Sequence, residues 1–340
     1  IWFLAILFVS YFGFLTLPHS GNFRNDFLNS FSNWDGGHFL GIAKFGYSEK
    51  FQYAFLPLYP LIIRLVNEIT HNFLYAAILI SVVSSFLGIH LLYKLISLEF
   101  DKKLGEKVVL GLLIFPTSFY FLTAYSEGLF FLLVIACFYF LRSGKLFWAV
   151  LFASLASATR LAGLALVLGL IIEVIAIRGK VSKNWFVFLA PLGFLIYCGY
   201  LYNQTGDAFY FLISELHWQR DITIPAVSFW GTIKNLSGVS FINNFDVFMD
   251  LLFAIFGVGL AVRSLRFLPP SYSVYFLASV LLPLFTPTLS SMARFLLPVF
   301  PIFILLAMAK NKFLVFAYQL ISIMLLSIFT VLFVNGFWVS

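Results

Sequence analysis

Of the chain's 340 residues 62% are hydrophobic and only 10% charged, with a mean hydropathy of +1.00. That leaves too little polar surface to clothe a water-soluble core, so a soluble domain is excluded. The net charge of +7 would suggest acidic partners in a soluble protein, but among apolar runs its distribution reports topology, and no nucleic-acid partner is expected.

A helix needs roughly 20 apolar residues to cross about 30 Å of hydrocarbon. Such runs follow one another almost end to end, which predicts helices rather than a barrel. The expected fold class is an all-α polytopic membrane protein, one unit over 1–340, with about eleven transmembrane helices: 1–17, 74–95, 107–123, 125–141, 146–159, 161–177, 185–203, 247–262, 271–288, 295–309 and 313–335. The chain begins inside an apolar run and no signal peptide is read from it.

The placement of basic residues orients the spans. Lys94, Lys102, Lys103, Lys107, Arg142, Lys145, Arg178, Lys180, Lys183, Arg263, Arg266, Lys310 and Lys312, 13 of the 21, fall in alternate and mostly short connections. The positive-inside rule makes those connections cytoplasmic, the N-terminus cytoplasmic, and the long segments 18–73 and 204–246 outer loops. Loops of that length carry structure of their own, and interfacial helices are expected in the first.

The first loop holds the most informative motif, NWDGGHFLGIAKFGY at 33–47. Phe23, Phe27, Phe31 and Trp34 recur at helical spacing and predict a membrane-facing stripe, while Asp35 and His38, three apart, share another side. Gly36 and Gly37 weaken the helix and allow a ligand to approach closely. Asp35 at the membrane interface is a candidate general base for an attacking hydroxyl; the alternative is an N-cap or a surface charge. Pro57 and Pro60 mark the start of another short helix.

Glu127, in TAYSEGLFF at 123–131, is held in a short outer connection. It either orients a sugar or a second catalytic group, or caps the following helix. Arg160 in SATRLAGLAL and Arg294 in SSMARFLLPVF stand at outer helix boundaries without abundant acids nearby. Lipid headgroups or a bound phosphate would satisfy them. His217, Trp218 and Arg220, in the second loop, offer a stacking face and donors, although an aromatic belt accounts equally for Trp218. Cys137 and Cys198 lie in apolar runs and the five histidines are scattered, so no disulfide framework or metal site is expected. The sequons at Asn203 and Asn235 matter only in a glycosylating compartment.

The motif at 33–47, followed by FQYAFLPLYPLIIR, resembles the outer-loop signature of the PIG-V-like mannosyltransferases, the group that includes the enzyme adding the second mannose to GPI anchors. The resemblance continues in the same order through TAYSEGLFFLL, SATRLAG, GDAFYFL ahead of HWQR, and ARFLLPVFPIF. It implies a GT-C glycosyltransferase fold, in a prokaryotic member whose acceptor need not be a GPI precursor. The donor it implies is a sugar, mannose in this family, linked to a polyprenyl phosphate, and the acceptor a membrane lipid or glycan. The acid in the first outer loop, here Asp35, is the catalytic residue. His38, Tyr47, Glu127, Arg160, His217, Trp218, Arg220 and Arg294 are the candidates for holding substrate. Many GT-C enzymes carry paired acids where this chain has one, so a second acid comes from elsewhere, with Glu127 the candidate. Eukaryotic relatives can require an accessory subunit.

The mechanism expected is an inverting transfer in which Asp35 activates the acceptor and Arg160 and Arg294 hold the departing phosphate, with no obligatory metal or cofactor. The rival readings are a lipid or sugar transporter, which would favour ionisable midplane residues and two related halves, and a scaffold without chemistry.

Overall fold

The structure, a computed structural model, describes residues 1–20, 26–175, 184–236 and 244–339. Among these the chain is helical throughout, without strands. Phe23, Arg178, Lys180 and Lys183, used in the sequence reading, lie outside the described residues.

Helix α1 (Trp2–Thr16) packs on the last helix, α17 (Lys312–Val334). At their crossing Asn335 Nδ2 donates to the Gly13 carbonyl at 3.2 Å. Three short helices follow α1: α2 (Phe27–Ser30), α3 (Asp35–Phe45) and α4 (Leu58–Thr70). Then come α5 (Phe73–Glu99), α6 (Lys102–Leu113), α7 (Glu127–Arg142), α8 (Leu146–Ser157), α9 (Gly163–Glu173), α10 (Leu192–Thr205), α11 (Tyr210–Glu215), α12 (Pro225–Leu236), α13 (Phe245–Phe267), α14 (Pro270–Leu284), α15 (Met292–Leu296) and α16 (Pro301–Ala307).

The centre is α7, whose residues from Glu127 to Phe138 are almost all buried. A helix apolar on every side belongs in a core. It packs closely along α5 because Gly128 has no side chain: a Cβ there would lie 2.4 Å from Ser85 Oγ and 2.6 Å from the Ser81 carbonyl. Asn72 and Asp101 start α5 and α6 by accepting from backbone N–H groups of the first turn.

Among the described residues four helical stretches are long and apolar enough to cross a membrane: Phe73–Glu99, Trp185–Thr205, Phe245–Phe267 and Lys312–Val334. Shorter apolar helices occupy most other expected spans, including Trp2–Thr16, Leu146–Ser157, Gly163–Glu173 and Pro270–Leu284.

Two expected spans are broken. The run 107–123 stops after Leu113 and resumes as a buried 3-10 turn, Ser118–Leu122, because Pro116 offers no N–H and holds Phe115 out of the helical region. The run 295–309 divides into α15 and α16 around Pro298 and Pro301. Both breaks are satisfied by protein: Thr117 Oγ1, in the first, donates to the Ala293 carbonyl of α15 at 3.0 Å, and Tyr275 Oη of α14 donates to the Pro298 carbonyl, in the second, at 3.1 Å. Irregular backbone at this depth persists only when protein satisfies it.

The first loop contains the short helices expected of it. On α4, Leu61, Leu65 and Ile69 form an exposed stripe while Tyr59, Pro60 and Ile63 are buried. The expected aromatic stripe does not form: α2 ends after four residues, and Phe31 turns into the core, where its carbonyl accepts from Ala124 N at 2.8 Å. On α12 the polarity is inverted. Ser228 and Thr232 face inward, with Ser228 Oγ donating to the Leu284 carbonyl at 2.9 Å, while Val227, Trp230 and Ile233 are exposed.

Candidate active site

Asp35 opens α3, directly after Trp34, whose backbone (φ 58°, ψ −123°) lies in a region that side chains disfavour. The turn is held from both sides. Asn33 Nδ2 donates to the Phe333 carbonyl at 2.9 Å, and Tyr125 Oη donates to the Asn33 carbonyl at 2.8 Å. The Trp34 ring meets Trp338 edge-on, centroids 5.0 Å apart. Gly36 serves packing rather than a ligand, since a Cβ there would press on Tyr125 and Ser32 at 3.3 Å. Gly37 is more open, with only the Ser32 carbonyl at 3.7 Å.

The Asp35 carboxylate accepts from Arg294 Nη1 at 2.7 Å. Arg294 is presented by α15, which begins at Ser291 with φ 72° and is anchored where Met292 N donates to Asp250 Oδ1 at 3.0 Å. The guanidinium lies against the rings of Tyr120, Tyr125 and Phe295 at 5.7, 5.6 and 5.7 Å, and the side chain is only 6% exposed. Burial alone would push the Asp35 carboxyl up. The Arg294 guanidinium, joined by Arg220 and His38, outweighs it and holds the carboxyl below the ordinary carboxylate range.

Glu127, at the start of α7, is fully buried. Its Oε1 lies 2.5 Å from Arg160 Nη1 and 3.4 Å from Arg294 Nε, and Arg160 Nη1 also reaches Ser126 Oγ at 3.2 Å. The Glu127 carboxylate thus lies against two arginines, Arg160 and Arg294, at the start of α7. Asp35, Arg294, Glu127 and Arg160 form one continuous ion chain drawn from four distant parts of the sequence.

The second loop closes over this chain. Helix α11 ends at Glu215; Gln219 takes the left-handed conformation (φ 57°), and Arg220 N returns to the Glu215 carbonyl at 3.1 Å. The Arg220 side chain is thus folded back toward the site, 5.3 Å from the same Phe295 ring that Arg160 and Arg294 face. Its nearest carboxylate is loose, with Glu215 Oε2 3.9 Å from Nη1. Burial raises the Glu215 carboxyl, opposed by Arg220, and burial lowers Arg220, opposed by Glu215.

The two histidines join an aromatic wall built by both loops. The His217 ring stacks on Phe51 at 4.5 Å; His38 lies 5.2 Å from Phe55 and 6.0 Å from Trp218. Burial pulls the His38 imidazole down, with nearby Asp35 opposing. Tyr47 belongs elsewhere: its hydroxyl donates to the Phe55 carbonyl at 2.7 Å, and its ring packs with Tyr53, Tyr197 and Tyr200 in a small second core.

The structure thus brings together Asp35, His38, Glu127, Arg160, His217, Trp218, Arg220 and Arg294. It adds Glu215, which lies between GDAFYFL and HWQR, and Asp250, an acid within an apolar run. An arginine that needs an anion was the signal for the first, and a carboxylate in a membrane-length helix for the second. Chemically, three guanidiniums around one ring make an anion site, and the carboxylates beside them can accept protons or hydroxyl hydrogen bonds.

Residues 19–178 match the family described as Mannosyltransferase (PIG-V). The curated GPI mannosyltransferase 2 of Drosophila pseudoobscura pseudoobscura is 30% identical over 220 residues, 58% of this chain and 47% of that protein. The chain therefore spans about half the length of that relative. Among solved structures, the crystal structure of ArnT from Cupriavidus metallidurans bound to undecaprenyl phosphate aligns over 94% of this chain and 61% of its own, with a TM-score of 0.55 at 14% identity. At that identity the likeness is one of fold, and the fold is GT-C.

Proposed function

We propose that this chain, whose residues 19–178 match the PIG-V mannosyltransferase family, is a member of it: a membrane glycosyltransferase that moves a sugar, mannose by family, from a polyprenyl-phosphate carrier to a hydroxyl of a lipid or glycan. The observation that carries the reading is the contact of Asp35 with Arg294 within a cluster of arginines. The undecaprenyl phosphate on ArnT supports the carrier's chemistry.

In this reading the arginines receive the phosphate. As Arg294 turns to the phosphate, Asp35 loses the cation that keeps it acidic and becomes a better base. The Asp35 carboxylate takes the proton of the acceptor hydroxyl, the acceptor oxygen bonds to the anomeric carbon with inversion, and the carbon–oxygen bond to phosphate breaks, its electron pair leaving with the polyprenyl phosphate. Guanidiniums beside that oxygen stabilise the growing charge, a contact whose loss costs about 2–4 kcal/mol of barrier in comparable oxyanion sites. The positive-inside distribution supports an extracytoplasmic site.

The test is transfer of radiolabel from polyprenyl-phosphate mannose into membrane lipids and glycans by wild type and Asp35→Asn at equal folded amounts. Transfer that depends on Asp35 is expected, and the labelled product identifies the acceptor. Equal transfer by both proteins would remove Asp35 as the base.

A further inference from the structure

Three carboxylates and three guanidiniums share the site, and they are not equally committed. Asp35 meets Arg294 at 2.7 Å and Glu127 meets Arg160 at 2.5 Å, whereas Glu215 and Arg220 stand 3.9 Å apart. Glu215 and Arg220 are also the most exposed of the six, at 28% and 20% of their side chains, against 16% for Asp35 and none for Glu127. Apart from Glu215, the Arg220 guanidinium has a long 3.4 Å contact to the Ser290 carbonyl. It faces Phe295 together with the other two arginines, so an anion reaching the cluster meets Arg220 in its least satisfied state.

The formal charges of these six groups sum to zero. A phosphate entering such a balanced set draws guanidiniums away from their carboxylates, and the pair with the longest separation and most water gives way first, ahead of Asp35 and Arg294.

We propose that Glu215 is the acceptor-side carboxylate of the site, masked by Arg220 until the donor's phosphate takes that arginine, so that donor binds before acceptor. This rests on the transferase reading and deepens it. Once released, the Glu215 carboxylate accepts a hydrogen bond from an acceptor hydroxyl at the mouth, beside His217 and Trp218, while Asp35 remains the base. The acceptor class this fits is an alcohol such as a sugar hydroxyl, not an anion.

The experiment has two arms. In the first, the wild-type protein in nanodiscs is treated with a carbodiimide and an amine nucleophile, with and without undecaprenyl phosphate, and labelling of Glu215 is read by mass spectrometry. Labelling is expected to rise severalfold with the lipid, while buried Glu127 stays unlabelled. In the second, E215Q is expected to bind undecaprenyl phosphate about threefold tighter or more, because a competing counter-ion is gone. R220Q is expected to bind it about tenfold more weakly, because a charge-assisted contact is lost. Unchanged or reduced Glu215 labelling, or weaker binding by E215Q, overturns the proposal. Inorganic phosphate as a parallel probe separates the sources: a response to it means the head alone unmasks Glu215, and a response to the lipid alone means the chain seats it. The labelling arm uses the unaltered chain and stands even where a variant folds poorly. Sugar transfer without a labelling response would sink this inference alone; a labelling response without transfer would sink the transferase reading alone.

Discussion

Arg294 and Asp35 are 259 positions apart in the chain and 2.7 Å apart in the structure. That contact joins the first loop to the C-terminal quarter and sets both the resting charge of the acid and the orientation of the cation.

The pair has a pH signature. The Asp35 carboxyl is held below its ordinary 3.8 in the folded chain. A depressed acid adds stability that is present above the unfolded pKa and lost as pH falls through the folded one. The Tm difference between wild type and Asp35→Asn is therefore expected to stay constant from about pH 8 to pH 5 and to shrink only below about pH 4. A difference that changes between pH 6 and 8 would assign the effect to another group.

Glu127 holds two arginines from a fully buried position. Glu127→Ala leaves Arg160 without its closest anion and is expected to cost about 3 kcal/mol in thermal unfolding. Glu127→Gln, which keeps the shape and one acceptor, should cost less. A Glu127→Ala protein as stable as wild type would show that water enters and replaces the carboxylate.

Trp34 sits at φ 58° and ψ −123°, where only glycine is at ease. Trp34→Gly and Trp34→Ala both lose the contact with Trp338, but only glycine relaxes the backbone. Trp34→Gly is expected to be more stable than Trp34→Ala by about 1 kcal/mol. Chemical denaturation in detergent checks the sign.

In the proposed transfer the arginines answer the charge of the leaving phosphate, so no metal is required. Transfer is expected to survive EDTA. Loss on chelation with recovery on adding magnesium or manganese would contradict the arginine clamp.

Local chemistry was readable in the sequence. The motif at 33–47 put Asp35 and His38 within one helical turn, and lone arginines among apolar neighbours pointed to anions, where the structure places carboxylates. The span boundaries were less legible at 107–123 and 295–309, where a continuous apolar run concealed the effect of Pro116, Pro298 and Pro301. Those breaks persist because neighbouring helices satisfy the freed backbone, as Tyr275 does for the Pro298 carbonyl, and that is a tertiary fact. The same holds for Glu127: its place in a short connection was visible, but not the arginines that would enclose it. Glu215 was overlooked because the turn that brings Arg220 back to it depends on Gln219 adopting a left-handed backbone, which sequence pattern does not reveal.

At the end of α7 remote from the site, Arg142 lies between Glu99 of α5 and Glu173 of α9, and Tyr272 of α14 donates to Glu99. Four helices are thus stapled together about 24 Å from Glu127, the length of α7 at the usual rise per residue. Rods clamped at one end splay most at the other. The staple therefore fixes α5, α7, α9 and α14 to one another at that end, so any relative movement of these helices would be largest where Glu127 lies.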